Sequence, residues 1–262
     1  MVKLIAVDMD GTFFDDEKRK SPEFGKVFNV LKNRGIHFCA ASGRQMASLK
    51  KEFAEYSDDI IFVSENGTVV ELDGKIILEE KLDEDITSRI LGKFNKMSDK
   101  KAVYCTKDYS YINDMDDASK KNAEIFLPKH KVVKRFEDID RLPVKISIYS
   151  EKGFDRDFQS IFDEFSDVAT VCTSAHGWLD IMSKNSSKGN AIKKLQGILD
   201  ITSKETMAFG DQMNDFDMLN DAYYSYAMEN AVDEIKKISR FIAPSNNEYG
   251  VIKVLKEFFN IK

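Results

Sequence analysis

Leu4-Ile5-Ala6-Val7-Asp8-Met9-Asp10-Gly11-Thr12 opens the first element of the chain. Four apolar residues run without a break and stop at an acid. A run this short, apolar on both faces, is what a strand buried inside a parallel sheet requires. The Asp-x-Asp-Gly that follows puts two carboxylates and a flexible backbone at the strand's carboxyl end.

Reading outward, the same unit recurs. Ser21-Pro22 predicts a helix start, with Phe24, Val27, Phe28 and Leu31 at helical spacing and Gly35 as its stop. Ile36 to Ala41 predicts a second strand ending at Ser42-Gly43-Arg44, followed by a helix to about Tyr56. Ile60 to Val63 predicts a third strand. Strand-helix alternation of this kind implies a doubly wound, Rossmann-like parallel sheet with right-handed crossovers. The rhythm breaks at Glu65-Asn66-Gly67, after which Thr68 to Leu72 and Lys75 to Leu78 flank Asp73-Gly74, a hairpin signature. From about Leu82 to Ser183 helices and short strands mix, including a strand at Lys145 to Tyr149 and a helix at Phe154 to Phe165. This stretch reads as an inserted α+β cap domain. The α/β rhythm returns with a helix from Ser187 to about Leu199 and a strand at Thr206 to Phe209 that leads to Asp211. The tail predicts two more helices and one or two short strands. The expected domains are therefore a split α/β core, residues 1–81 and 184–262, around a cap at 82–183. Asp8, Ser42 and Asp211 all fall at strand ends, where ligands bind in open α/β sheets.

Composition narrows the function. The 262 residues carry 32% charged and 42% apolar side chains, with a net charge of −6. That balance disfavours a non-specific nucleic-acid binder, and it means that any phosphate site must be built locally from a few cations or a metal. Cys39, Cys105 and Cys172 have neither zinc-ligand nor redox spacing and read as idle thiols of a reducing compartment. The apolar start is too short for a secretory signal, and no stretch approaches the roughly 20 apolar residues of a membrane span. The expectation is a cytoplasmic protein, a monomer or weak dimer, with no membrane or nucleic-acid partner.

Four short segments carry chemistry. In the first, Asp8 can act as a covalent nucleophile toward phosphorus and Asp10 as the acid and base that serves the leaving oxygen and then water. Gly11 lets backbone N–H groups face a phosphate. In the second, Ser42-Gly43-Arg44 offers a hydroxyl at a strand end that leads into a helix. In the third, Lys188 sits in the first turn of a helix, where a cation opposes the helix dipole unless an anion is near. In the fourth, Gly210-Asp211-Gln212-Met213-Asn214-Asp215 crowds oxygen donors onto one loop after an apolar strand, as a hard cation beside phosphate demands. Each alone is compatible with an ordinary turn or cap. Their joint occurrence at strand ends and helix starts, in this order, points to phosphoryl transfer.

The strings DMDGT at 8–12, ASGR at 41–44, SKGNAI at 187–192 and GDQMNDFDMLNDA at 210–222, with AMENAVDEIK at 227–236 and APSNNEYGV at 243–251, resemble the haloacid dehalogenase superfamily. The resemblance is to its Cof-type branch of sugar- and cofactor-phosphate phosphatases. It spans the core and is weak in the cap. It implies Asp8 as nucleophile and Asp10 as general acid/base. Ser42, Lys188 and Asn214, with Gly11 and Gly43, would hold the phosphoryl group. Mg²⁺ would bind Asp8, Asp211 and the backbone carbonyl of Asp10, with Asp215, Thr12 and Arg44 in support. The 32 positions from Asp10 to Ser42 leave no room for a cap, whereas the 146 from Ser42 to Lys188 do, as in the branch with a type C2 (C2B) cap. Phe13-Phe14 departs from the aliphatic residues usual there. The implied activity is hydrolysis of a small phosphorylated metabolite through an aspartyl-phosphate. A phosphomutase using the same chemistry and a non-catalytic metal- or phosphate-binding regulator are the rivals. The cap is expected to select the substrate, with Trp178, Tyr104, Tyr109 and Tyr111 as candidates to touch it. The basic stretch Lys129 to Arg135 reads as a solvated cap face.

Overall fold

The computed structural model describes residues 1–97, 100–113, 127–150, 160–175 and 177–262. Two sheets organise them. The first has eight strands: β1 (Leu4–Asp8), β2 (His37–Ala41), β3 (Ile61–Ser64), β4 (Val69–Leu72) and β5 (Lys75–Glu79), joined late in the chain by β12 (Thr206–Gly210), β13 (Tyr224–Met228) and β14 (Phe241–Ala243). Their spatial order is β14-β13-β12-β1-β2-β3-β4-β5. The strands from β14 through to β3 are parallel, and β4 and β5 are added antiparallel. From β1 the chain builds outward on one side, then returns to build on the other. The carboxyl ends of β1 and β12 therefore flank the point where winding reverses, which is where such sheets bind ligands.

The helices of this layer are α1 (Phe24–Asn33) and α2 (Met46–Glu52) early in the chain, and α4 (Lys188–Leu199), α5 (Phe216–Asp221), α6 (Asp233–Ile238) and α7 (Gly250–Phe258) late in it; α3 (Glu84–Phe94) belongs to the second unit. Helix α1 packs on α7, and α4 on α5. The expected early helices are shorter in fact. Ser21 Oγ accepts the Glu23 amide, so Ser21 organises a turn and the helix starts at Phe24. The second helix ends at Glu52 and resumes as a 3₁₀ turn over Ala54–Tyr56, which lets Phe53 point wholly inward. The tail holds three short helices rather than two, because α5 and α6 are separated by β13. The hairpin is as read, with Asp73 and Gly74 at φ 50° and 71°, both in the left-handed region that a two-residue turn of this kind needs. Phe13 fills the space beside the strand end by packing on Phe24, Phe38 and Phe53 at centroid distances of 5.1, 5.8 and 5.6 Å.

The second sheet is formed by β6 (Lys101–Cys105), β7 (Ser110–Ile112), β8 (His130–Val132), β9 (Lys145–Tyr149), β10 (Ala169–Ala175) and β11 (Trp178–Ser183), in the order β10-β11-β9-β6-β7-β8. With α3 it makes an α+β unit inserted between β5 and α4. The helix expected at Phe154 to Phe165 lies partly outside the described residues, and its end is a 3₁₀ turn over Asp163–Phe165. His176 also lies outside them. Alternation along the strands splits the sheet into two faces. Ala102, Tyr104, Ile146, Ile148, Leu179 and Ile181 bury against α3 in a separate apolar cluster. Val103 and Cys105 of the opposite face join the cluster of the first sheet. Among the described residues no helix is long and apolar enough to cross a membrane.

Candidate active site

Asp8 is the last residue of β1, and its parallel register against β2 sets it beside Ala41, one residue before Ser42. Asp211 follows β12 directly. Lys188 enters from α4, whose cap is Ser187: its side chain accepts the Asn190 amide. The Lys188 side chain is completely buried, and its Nζ donates to Asp8 Oδ1 and, at 2.7 Å, to Asp215 Oδ1. Asp215 Oδ2 accepts the backbone amides of Asp211 and Gln212 at 3.0 and 3.1 Å, which ties the acidic loop into one turn. Thr12 donates to Asp211 Oδ1 at 2.8 Å. Gly11, at φ 84°, passes so close that a Cβ there would stand 2.6 Å from Asp211 Oδ2. The strings at 227–236 and 243–251 act here as props: Asn230 donates to Gly11 O, and Asn246 donates to Phe14 O and to Asp16.

Carboxylate oxygens of Asp8, Asp211 and Asp215 all lie within 4.8 Å of one another, and all three residues are buried. Burial first, then the neighbouring Asp215 charge, raises the Asp8 pKa well above the usual carboxylate range despite Lys188. The same causes push Asp211 up to about 6, against the opposing Thr12 hydrogen bond. Burial would lower the Lys188 pKa, but Asp215 and Asp8 outweigh it and raise it, so Lys188 is a fixed cation. Three hard oxygen donors crowded around one lysine suit a divalent cation that prefers oxygen ligands.

Asp10 faces the other way. Its side chain turns from the acidic cluster to Arg44, which grips it in bidentate fashion with two bonds of 2.6 Å, and Lys18 adds a third at 2.8 Å. Burial alone would raise the Asp10 pKa; the Arg44 hydrogen bonds and charge, helped by Lys18, outweigh it and lower the value. Arg44 in turn lies over the Phe14 ring at 5.0 Å, so the departure at Phe13-Phe14 supplies a cation–π shelf for the guanidinium. Ser42 Oγ accepts the Arg44 amide at 3.1 Å.

Asp8, Asp10, Ser42, Gly43, Arg44 and Asn214 line one cavity of about 380 Å³, and Lys188, Asp211, Asp215, Gly11 and Thr12 stand directly behind Asp8. The expected site residues are thus brought together. Of the four cap aromatics only Trp178 lines the cavity. Tyr104 stacks on Phe136 in the core of the inserted unit and donates to Arg141 O.

Sequence reading passed over several residues of this site. Lys18 carries no local signal. Glu65-Asn66-Gly67 showed itself only as a break in rhythm; all three residues have positive φ, 50°, 58° and 98°. Their amides bond back to the loop after β2, Glu65 N to Arg44 O and Asn66 N to Ser42 O. The Asn66 side chain accepts from Asn214 Nδ2 at 3.1 Å and donates to Asp180 of β11 at 2.7 Å. It joins the acidic loop to the inserted unit. Gln45 makes a second tie, exchanging hydrogen bonds with the backbone of Lys129, while Lys145 makes a third by donating to Gly43 O.

Comparison with known proteins agrees with this geometry. The family model of the haloacid dehalogenase-like hydrolases matches residues 5–255. The 5-amino-6-(5-phospho-D-ribitylamino)uracil phosphatase YbjI of Escherichia coli (strain K12) is 31% identical over 257 residues, covering 97% of this chain and 95% of its own. The HMP-PP phosphatase of Klebsiella pneumoniae (strain 342) is 25% identical, covering 90% of this chain and 87% of its own. The crystal structure of SMU.1108c from Streptococcus mutans UA159 superposes with a TM-score of 0.92 at 29% identity, covering 99% of this chain and 100% of its own.

Proposed function

The chain belongs to the haloacid dehalogenase-like hydrolases and is a phosphatase, and on that premise we propose that it hydrolyses monoesters of small phosphorylated metabolites, with Mg²⁺, through an aspartyl-phosphate on Asp8. The observation that carries this reading is the Asp8 carboxylate itself. It closes the inner end of the cavity, hydrogen-bonded by a fully buried lysine and flanked by two further buried carboxylates.

Asp8, Asp211 and the backbone carbonyl of Asp10 would hold the metal, with Asp215 fixing the loop and Lys188. When bound, Mg²⁺ would supply the positive charge that keeps Asp8 ionised and neutralises the phosphoryl oxygens. The residues of the chain do the rest. Ser42, Asn214, Lys188 and the backbone around Gly11 and Gly43 orient the phosphoryl group. Asp8 Oδ attacks phosphorus; the ester P–O bond breaks, and its electron pair leaves on the substrate oxygen, which takes a proton from Asp10. Water then attacks the same phosphorus and gives a proton to Asp10, releasing phosphate and the Asp8 carboxylate.

The Arg44 clamp holds Asp10 as an anion, the form needed for the second step. For the first step Asp10 must carry a proton. A phosphoryl group entering beside Ser42 and Gly43 competes for Arg44 and weakens the clamp that lowers the Asp10 pKa.

The test is phosphate release by Asp8→Asn. The amide keeps the shape and the Lys188 contact but is no nucleophile toward phosphorus, so turnover is lost while the fold is retained. Residual activity above about 1% of wild type, larger than a removed nucleophile permits, refutes the covalent route.

A further inference from the structure

Opposite Asp8, the wall of the cavity is the inner face of the second sheet. Register places Cys105 opposite Lys145, Val103 opposite Ser147, and Ser147 opposite Asp180, so these side chains project together toward the first sheet. Glu65, from the strained turn after β3, meets them. Lys145, Ser147, Asp180 and Glu65 are 5%, 3%, 1% and 2% exposed, yet all four line the cavity.

Their hydrogen bonds leave one oxygen, on Glu65, incompletely satisfied. Lys145 Nζ is spent on Glu65 Oε2 at 2.7 Å, on Gly43 O at 2.9 Å and on Asp180 Oδ2 at 3.5 Å. Asp180 accepts Ser147 on Oδ1 at 2.6 Å and Asn66 on Oδ2 at 2.7 Å. Glu65 Oε1 is buried and has no hydrogen-bond partner among the described residues beyond the weak thiol donor of Cys105 beside it. A buried acceptor without a donor is costly, so its natural complement is a donor brought by a ligand. The wall carries two carboxylates against one ammonium, a net negative charge that repels a second anionic group. Among the described residues the cavity is near the lower end of the size range of ligand pockets, room for a phosphoryl group and a leaving group the size of one sugar.

We propose that Glu65, held by Lys145 and backed by Ser147 and Asp180, is the receptor for the leaving group, and that it selects monoesters whose leaving group is uncharged and offers a hydroxyl to Glu65 Oε1. A leaving group that bears a second phosphate is rejected by the same wall. This deepens the phosphatase reading and rests on it.

The experiment compares phosphate release by the full chain in Mg²⁺ from glucitol 6-phosphate, glucitol 1,6-bisphosphate and phenyl phosphate. The expected kcat/KM for glucitol 6-phosphate exceeds that for each of the other two at least about tenfold, since a site built to pair a hydroxyl discriminates strongly against its absence. Glu65→Gln reduces that advantage over phenyl phosphate, chiefly through KM. Asp180→Asn narrows the gap between monophosphate and bisphosphate. A bisphosphate turned over as well as the monophosphate, or a folded Glu65→Gln with the ranking of wild type, overturns the proposal. The wild-type ranking decides the matter even where a variant does not fold. Release from phenyl phosphate with no ranking among the three refutes only the leaving-group site; no release from any of them refutes the proposed monoesterase function as well.

Discussion

Asn66 is one of the residues that tie the acidic loop to the inserted unit, and replacing it separates backbone from side-chain effects. Its amide donates to the ionisable carboxylate of Asp180 and accepts from Asn214, both buried or nearly so, while its backbone sits at φ 58°. A hydrogen bond to a charged group is worth about 1.5–3 kcal/mol and a neutral one about 1. An alanine held in the left-handed region costs a further ~1 kcal/mol or more, which asparagine tolerates better and glycine avoids. Asn66→Ala should therefore destabilise by about 4 kcal/mol, and Asn66→Gly by about 3, on the same principles. Urea titration measures both. Trp178, the only tryptophan of the chain, stands on β11 beside the cavity and reports the inserted unit, while far-UV circular dichroism reports both sheets. Wild type should give coincident transitions by the two probes, and the variants should lose that coincidence as the tie is cut. A loss below about 1 kcal/mol for Asn66→Ala would refute the tie, and equal losses for alanine and glycine would refute the role of the left-handed backbone.

Turnover should disappear in EDTA and return with Mg²⁺, and Asp211→Ala should raise the Mg²⁺ concentration needed or abolish activity; full turnover in metal-free buffer would make the acidic loop merely structural. Asp10→Asn should lower kcat by about 10² to 10⁴-fold, the usual contribution of a general acid and base, and an unchanged rate on an alkyl phosphate would reject that role. Gly11→Ala should lower turnover by about 10²-fold, because it forces a Cβ against Asp211 at the end of a left-handed turn; wild-type kinetics in this variant would show that the loop can shift at no expense.

The parts of the site that could be read from the chain are the parts encoded locally. An apolar run that stops at an acid marks a strand end, as at Asp8 and Asp211. Asp73-Gly74 dictates its hairpin because both residues tolerate positive φ. Ser187 caps a helix because its hydroxyl reaches an amide three residues on. Ser21 misled because its hydroxyl bonds an amide two residues on, which makes a turn before the helix proper. Lys188 was legible as a cation out of place in a first turn, but its complete burial was not, since that depends on Asp8 arriving from the end of β1 and Asp215 from the loop after β12.

Side-chain spacing along β9 draws the boundary most sharply. Lys145, Ile146, Ser147 and Ile148 alternate, and the period of two assigns the isoleucines to one face and the polar pair to the other. The strand and the division of its side chains between two faces follow from that pattern. Where the polar face points does not, because a strand's alternation is the same whether its polar side meets water or another domain. Only the docking of the second sheet over β1 and β2 turns that face inward, buries Lys145 against Glu65 and Asp180, and makes it the wall of a cavity whose opposite end is Asp8. Asp8, the cations and the acidic loop belong to short segments with local physics; what they are closed against is set by contacts between residues as far apart as Asn66 and Asp180, which no periodicity records.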